Sequence, residues 1–146
     1  MEKGLNQYIV DSFGLGHEDP KNYSPLVLAY IGDGIYDLVI RSIVVANGNT
    51  SANRLHQKTS KMVKAAAQSA LIEAVKEELT QEETIIFKRG RNAKSSTMAK
   101  NASMSDYRRA TGFEALVGFL YLNNRLDRIV QLVKIGLERT GLIPQE

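Results

Sequence analysis

An all-α fold of about six or seven helices is what this sequence predicts, and three observations predict it. Apolar residues recur at helical spacing over several long windows. No window alternates apolar and polar residues as a half-buried strand would. Ser, Thr, Pro, Gly and Asn stand where such helices would begin and end. The 146 residues are 43% hydrophobic, enough for one domain with its own core. No internal repeat and no second domain is visible, so residues 1–146 are expected to form a single unit.

Residues 1–23 mix polar side chains with Gly14, Gly16 and Pro20 and read as a loosely held lead-in, with a short helix near Tyr8 to Phe13. Ser24 and Pro25 then supply an N-cap and a first-turn proline. The stretch they open, SPLVLAYIGDGIYDLVIRSIVVA from Ser24 to Ala46, is apolar on nearly every side, which predicts a buried central helix. Its length would suit a bilayer, but two aspartates and an arginine interrupt it. Asp33, Asp37 and Arg41 are spaced i, i+4, i+8 and share one stripe, so Asp37 and Arg41 can form an ordinary ion pair. Asp33 is different. It stands between Gly32 and Gly34, two poor helix formers in mid-helix, and such small neighbours let another backbone or a bulky ligand reach the carboxylate. Inside a buried helix, that carboxylate needs a cation or a metal as partner.

Asn47-Gly48-Asn49 ends this helix, and Thr50 or Ser51 caps a helical region whose apolar and small positions keep their period from Leu55 to Leu79. Its other face carries Arg54, His56, Lys58, Lys61 and Lys64, a solvated face or a phosphate contact. Thr80-Gln81-Glu82-Glu83 is a capping box for a short helix through Ile85, Ile86 and Phe87. Lys88 to Ser105, KRGRNAKSSTMAKNASMS, has five basic residues, no acidic one and no apolar period, and is expected to be an exposed connection. Ser103 with Asp106 caps the helix DYRRATGFEALVGFLYLNN, again apolar on most sides and again holding one carboxylate, Glu114. A last helix runs from Leu126 to Glu138 and stops near Gly141 and Pro144.

Composition removes several chemistries. Without cysteine there is no disulfide, thiolate metal site or cysteine nucleophile. His17 and His56 are too few and too far apart for a histidine zinc site. MEKGLNQYIV lacks the apolar segment of a signal peptide, so an intracellular protein away from membranes is expected. The net charge is only +3, yet residues 51–110 carry twelve basic against six acidic groups. A basic middle on a near-neutral chain suits a polyanion. Two apolar helices with one acid each are material for an oxygen-ligand site. Magnesium takes few carboxylates, several waters and phosphate oxygens, and can activate water for attack on phosphorus.

Two stretches carry a resemblance. YIGDGIYDLVI at residues 30–40 resembles the signature of the ribonuclease III family, and ATGFEALVGFLYL resembles that family's second acidic helix. Residues from about 22 to 140 fit the catalytic domain in order and spacing. Two acids usual in the family are replaced, by Ala29 and Thr111, leaving Asp33 and Glu114. With no double-stranded-RNA-binding domain following, the pattern is similar to the short bacterial branch, Mini-ribonuclease III. The resemblance implies a Mg²⁺-dependent endonuclease that cuts double-stranded RNA to 5′-phosphate and 3′-hydroxyl ends, with Asp33 and Glu114 as catalytic and metal-binding residues. It also implies a cytoplasmic homodimer with the duplex in a valley between two sites, trimming the large-subunit (23S) ribosomal RNA precursor, with a ribosomal protein as a partner that presents it. Asp37 and the Thr111 hydroxyl are supporting candidates. Lys88, Arg89, Arg91, Lys94 and Lys100, with Arg108 and Arg109 beside Glu114, are the expected RNA contacts. The lost acids also permit a non-catalytic RNA-binding protein of the same fold. A helical interaction module is the third reading, against which the basic middle speaks.

Overall fold

Four side-chain caps set α-helix starts among the described residues. Ser24 Oγ accepts from the Val27 amide at 3.3 Å, with Pro25 opening the helix behind it. Ser51 Oγ accepts from Arg54 N at 3.3 Å, and Ser103 Oγ from Asp106 N at 3.0 Å. Thr80 and Glu83 close the capping box in both directions, at 3.1 and 2.8 Å. The computed structural model describes residues 3–94 and 103–144. Within them lie seven helices and no strand: α1 (Leu5–Ser12), α2 (Pro25–Ala46), α3 (Ala52–Val63), α4 (Ala65–Val75), α5 (Gln81–Asn92), α6 (Met104–Leu122) and α7 (Leu126–Arg139). Short 3₁₀ turns sit at Pro20–Asn22 and Lys76–Glu78. No helix among the described residues is long and apolar enough to cross a membrane.

The centre of the fold is α6, not α2 as the sequence suggests. From Ala110 to Leu120 every residue of α6 is buried except Glu114, and α2, α4, α5 and α7 pack around it. Helix α2 buries only one row, Leu28, Ala29, Gly32, Ile35, Tyr36, Ile40 and Val44. Its outer residues Val27, Tyr30, Leu38 and Val45 stay exposed, Tyr30 by 83%. An all-round apolar composition therefore signals two different burdens here: a core row and an uncovered outer row.

Two further elements depart from expectation. The helical region after Ser51 breaks at Lys64, whose backbone is extended (φ −63°, ψ 154°). The break lets α4 redirect Leu71, Ile72 and Val75 into the core, while α3 keeps its basic face in solvent. Helix α5 continues to Asn92, so Lys88, Arg89 and Arg91 are helical, not loop. Packing overrides the weak local pattern: Phe87 and Gly90 are buried against α6, and the Arg91 guanidinium lies 5.7 Å over the Phe87 ring.

Two contacts fix the layers around α6. Tyr36 is a core residue that donates from its hydroxyl to Met62 O at 2.7 Å and meets Phe113 edge-on at 5.1 Å. Glu83 and Arg128, 7% and 13% exposed at their side chains, join α5 to α7 through two 2.9 Å bonds. At the α2–α6 crossing the backbones themselves touch. A Cβ on Gly32 would land on the Glu114 carbonyl, and one on Gly118 would land on the Leu28 carbonyl. Gly34, by contrast, faces open space.

That difference predicts opposite outcomes at two glycines separated by one residue. Gly32→Ala should lower unfolding stability by roughly 3 kcal/mol, because backbone carbonyls cannot move aside as side chains do. Gly34→Ala should raise it by about 0.5–1 kcal/mol through helix propensity alone. Urea unfolding of the two variants decides it; equal effects would mean the helices do not touch at Gly32.

Candidate active site

The glycine crossing dictates where the two acids go. Asp33 follows Gly32 on α2, and Glu114 supplies the very carbonyl against which Gly32 packs. The two carboxyl groups therefore face one another from separate helices, close enough for a hydrogen bond. Asp33 lies exposed at the surface, contrary to the buried carboxylate expected for it, because α2 turns this row outward. Glu114 lies deeper. Its pKa is pushed up to about 9, first by burial, then by the hydrogen bond with Asp33 and by that group's charge. Burial and the Glu114 charge likewise raise the pKa of Tyr36.

One opposing influence comes from a residue the sequence reading passed over. The Gln68 side-chain amide lies close to Glu114 and favours its ionised form. Gln68 sits in the first turn of α4, only 3% exposed, and its Nε2 donates to Val63 O at 2.8 Å. Its Oε1 is buried without a partner among the described residues. A signal was present: Gln68, Ile72 and Val75 share one helical stripe, so an amide occupies a core position.

Other expected residues are placed differently. Ala29 is buried in an apolar cluster with Leu28, Ile86, Ala115 and Phe119. The Thr111 hydroxyl donates to Tyr107 O at 3.0 Å and is buried. Asp37 holds Arg41 at 2.6 Å in an i, i+4 pair on the outside of α2. No group of three or more acids or histidines that could hold a metal occurs among the described residues. The donor set is thus two carboxylates with a buried amide beside them.

The basic groups divide likewise. Lys88, Arg89, Lys94 and Arg108 are exposed, and α3 with its C-cap Lys64 carries the exposed basic residues Arg54, His56, Lys58, Lys61 and Lys64. Arg91 and Arg108 help line a cleft of about 490 Å³ between α5 and α6. Arg109 is engaged inside the fold: it pairs with Glu73 of α4 at 3.2 Å and Asp106 at 3.8 Å. It also reaches Ser69 at 3.5 Å, so it braces α6 on α4. Lys100 lies outside the described residues.

Comparison with known proteins covers the span from α2 to α6. The Ribonuclease III domain matches residues 26–125. The Mini-ribonuclease 3 of Clostridium tetani is 50% identical over 119 residues, covering 81% of this chain and 79% of that protein. That of Enterococcus faecalis is 45% identical over 125 residues, covering 84% and 95%. A crystal structure of a Fusobacterium nucleatum protein superposes with a TM-score of 0.75 at 30% identity, over 83% of this chain and 97% of that one.

The raised Glu114 group predicts a pH-dependent stability. Unfolded, it ionises near 4.5; folded, it keeps its proton up to about 9. Between those limits the native chain binds the extra proton, so rising pH favours unfolding, by at most about 1.4 kcal/mol per pH unit. In EDTA the melting temperature should fall from pH 6 to pH 8, and Glu114→Gln should flatten that slope. Parallel slopes for the two proteins would mean Glu114 is already ionised when folded.

Proposed function

Since the chain belongs to the ribonuclease III family as an endoribonuclease of the Mini-ribonuclease 3 kind, we propose that it cleaves double-stranded RNA with Mg²⁺ held by Asp33 and Glu114. The observation that carries this reading is the pairing of two carboxylates, from α2 and α6, at hydrogen-bond range, with no cationic side chain among the described residues acting on Glu114. Such a pair resists double ionisation until a cation joins it. The donor set fits Mg²⁺, which takes one or two carboxylates and otherwise keeps water and phosphate oxygens. When bound, the ion would lower the pKa of water and offset the charge growing on the leaving oxygen.

The chain's own groups do the rest. Glu114 fixes the inner side of the site because its helix is packed on every side. Asp33 presents the outer side, where a phosphate can approach. Attack by water in line with the leaving 3′-oxygen gives 3′-hydroxyl and 5′-phosphate ends. A-form RNA is held through phosphates and 2′-hydroxyls, largely by shape. Lys88, Arg89, Arg91, Lys94, Lys100 and Arg108 are assigned to that grip, within a single catalytic domain. Arg109 is assigned a bracing role, because Glu73 and Asp106 already engage it.

A homodimer completes the reading. Leu26, Val27 and Tyr30 on α2, with Ile85 on α5, are exposed apolar side chains that a second copy would cover. Two sites would then flank one duplex, each cutting one strand. The resemblance to the short branch supports the 23S ribosomal RNA precursor as the natural substrate, met in the cytoplasm and presented by a ribosomal protein.

The test is a long RNA duplex incubated with the purified protein in Mg²⁺ or EDTA, beside Asp33→Asn and Glu114→Gln. We expect discrete fragments in Mg²⁺ alone and a loss of rate of at least about 10²–10³-fold in each variant. Wild-type rates in Asp33→Asn would remove Asp33 from the site. Retained RNA binding by a wild-type protein that never cuts its rRNA precursor would favour the non-catalytic RNA-binding protein of the same fold.

A further inference from the structure

We infer that Gln68 is a positioning residue of this site: its amide nitrogen orients Glu114, and its Oε1 accepts a hydrogen from a water in the cation's shell. The inference rests on the reading of Asp33 and Glu114 as the cation site. Its ground is geometric. Gln68 is 3% exposed on the stripe of α4 that otherwise buries Ile72 and Val75, where an aliphatic side chain would pack without any polar group to satisfy. The amide nitrogen donates to Val63 O at 2.8 Å, and the amide lies near enough to Glu114 to favour its ionised form. The Val63 bond holds the amide in place and leaves Oε1 buried with nothing to accept from among the described residues. A buried acceptor without a partner calls for a donor.

Two carboxylates leave most of a Mg²⁺ shell to water, and those waters need acceptors that hold them in place. Ala29 is apolar and provides none, and the Thr111 hydroxyl is turned to Tyr107 O of its own helix. Gln68 meets the need with a neutral oxygen. A carboxylate there would add a third negative charge beside Asp33 and Glu114.

The test titrates Mn²⁺ alone, as a stand-in for Mg²⁺, into the RNA-free protein by calorimetry or electron paramagnetic resonance, with thermal melts in EDTA alongside. Gln68→Leu should weaken Mn²⁺ binding about 10–100-fold while its melting temperature in EDTA stays near wild type. Gln68→Glu keeps an acceptor oxygen: its melt in EDTA should drop, and its Mn²⁺ affinity should stay within about threefold of wild type or exceed it. A purely structural Gln68 would give the reverse, a lower melt for Gln68→Leu with unchanged affinity, and would overturn the inference. Should Gln68→Leu fail to fold, Gln68→Glu decides alone: retention supports the inference, and tenfold weaker binding overturns it. Mn²⁺ binding that survives Glu114→Gln, or is absent from wild type, would instead overturn the cation site itself. Binding that Glu114→Gln abolishes and Gln68→Leu leaves intact would overturn only the role of Gln68.

Discussion

Everything at the candidate site depends on two helices touching backbone to backbone. Helix α2 can lie on α6 only because Gly32 and Gly118 each leave room for a carbonyl of the other helix. Side chains at either position would push the axes apart, and Asp33 and Glu114 ride on those axes. Helix α6 is itself held from the remaining sides by α4, α5 and α7. The carboxylate separation is thus set by packing of the rigid core, with no loop involved. This is the arrangement a cation site needs if its ligands are to be in place before the ion arrives.

The same rigidity has an energetic cost. Glu114 is forced into a place where burial and the neighbouring Asp33 both disfavour its charge. The fold tolerates this because the group can stay protonated until something positive joins it. Gln68 softens the conflict from one side with its amide donor. The pair of acids and the amide come from three helices, α2, α6 and α4, so the site also works as a junction of the core. Arg109 reinforces that junction by tying α6 to Glu73 on α4.

The two acids stand out in the sequence, but their surroundings do not. Asp33 between two glycines and Glu114 within an apolar helix are departures from pattern, and departures are visible in a single chain. Which glycine packs is not visible: Gly32 meets a carbonyl and Gly34 meets nothing, although their local context is nearly the same. The exchange of α2 for α6 as central helix has a similar cause. Apolar residues on the outside of α2 read like core, and only the fold separates the two rows. The end of α5 was hidden because Lys88 to Asn92 lacks a periodic pattern; burial of Phe87 and Gly90 carries the helix on. Gln68 was overlooked within a run of alanines, where a neutral amide draws no attention until its neighbours are known.

The glycine contact also bears on the order in which the molecule comes into being. Gly32 and Gly118 are more than eighty residues apart in the sequence, so their contact is among the longest loops the chain must close. A ribosome making this protein releases α2 well before α6 exists. Until then the buried row of α2 lacks its main partner, and Asp33 stands on a helix without Glu114 to meet. The facing of Asp33 and Glu114 therefore arises only once α6 has emerged and docked. A nascent chain that stops short of α6 displays its basic residues without the carboxylate pair, so the meeting of the two acids marks the completion of the fold.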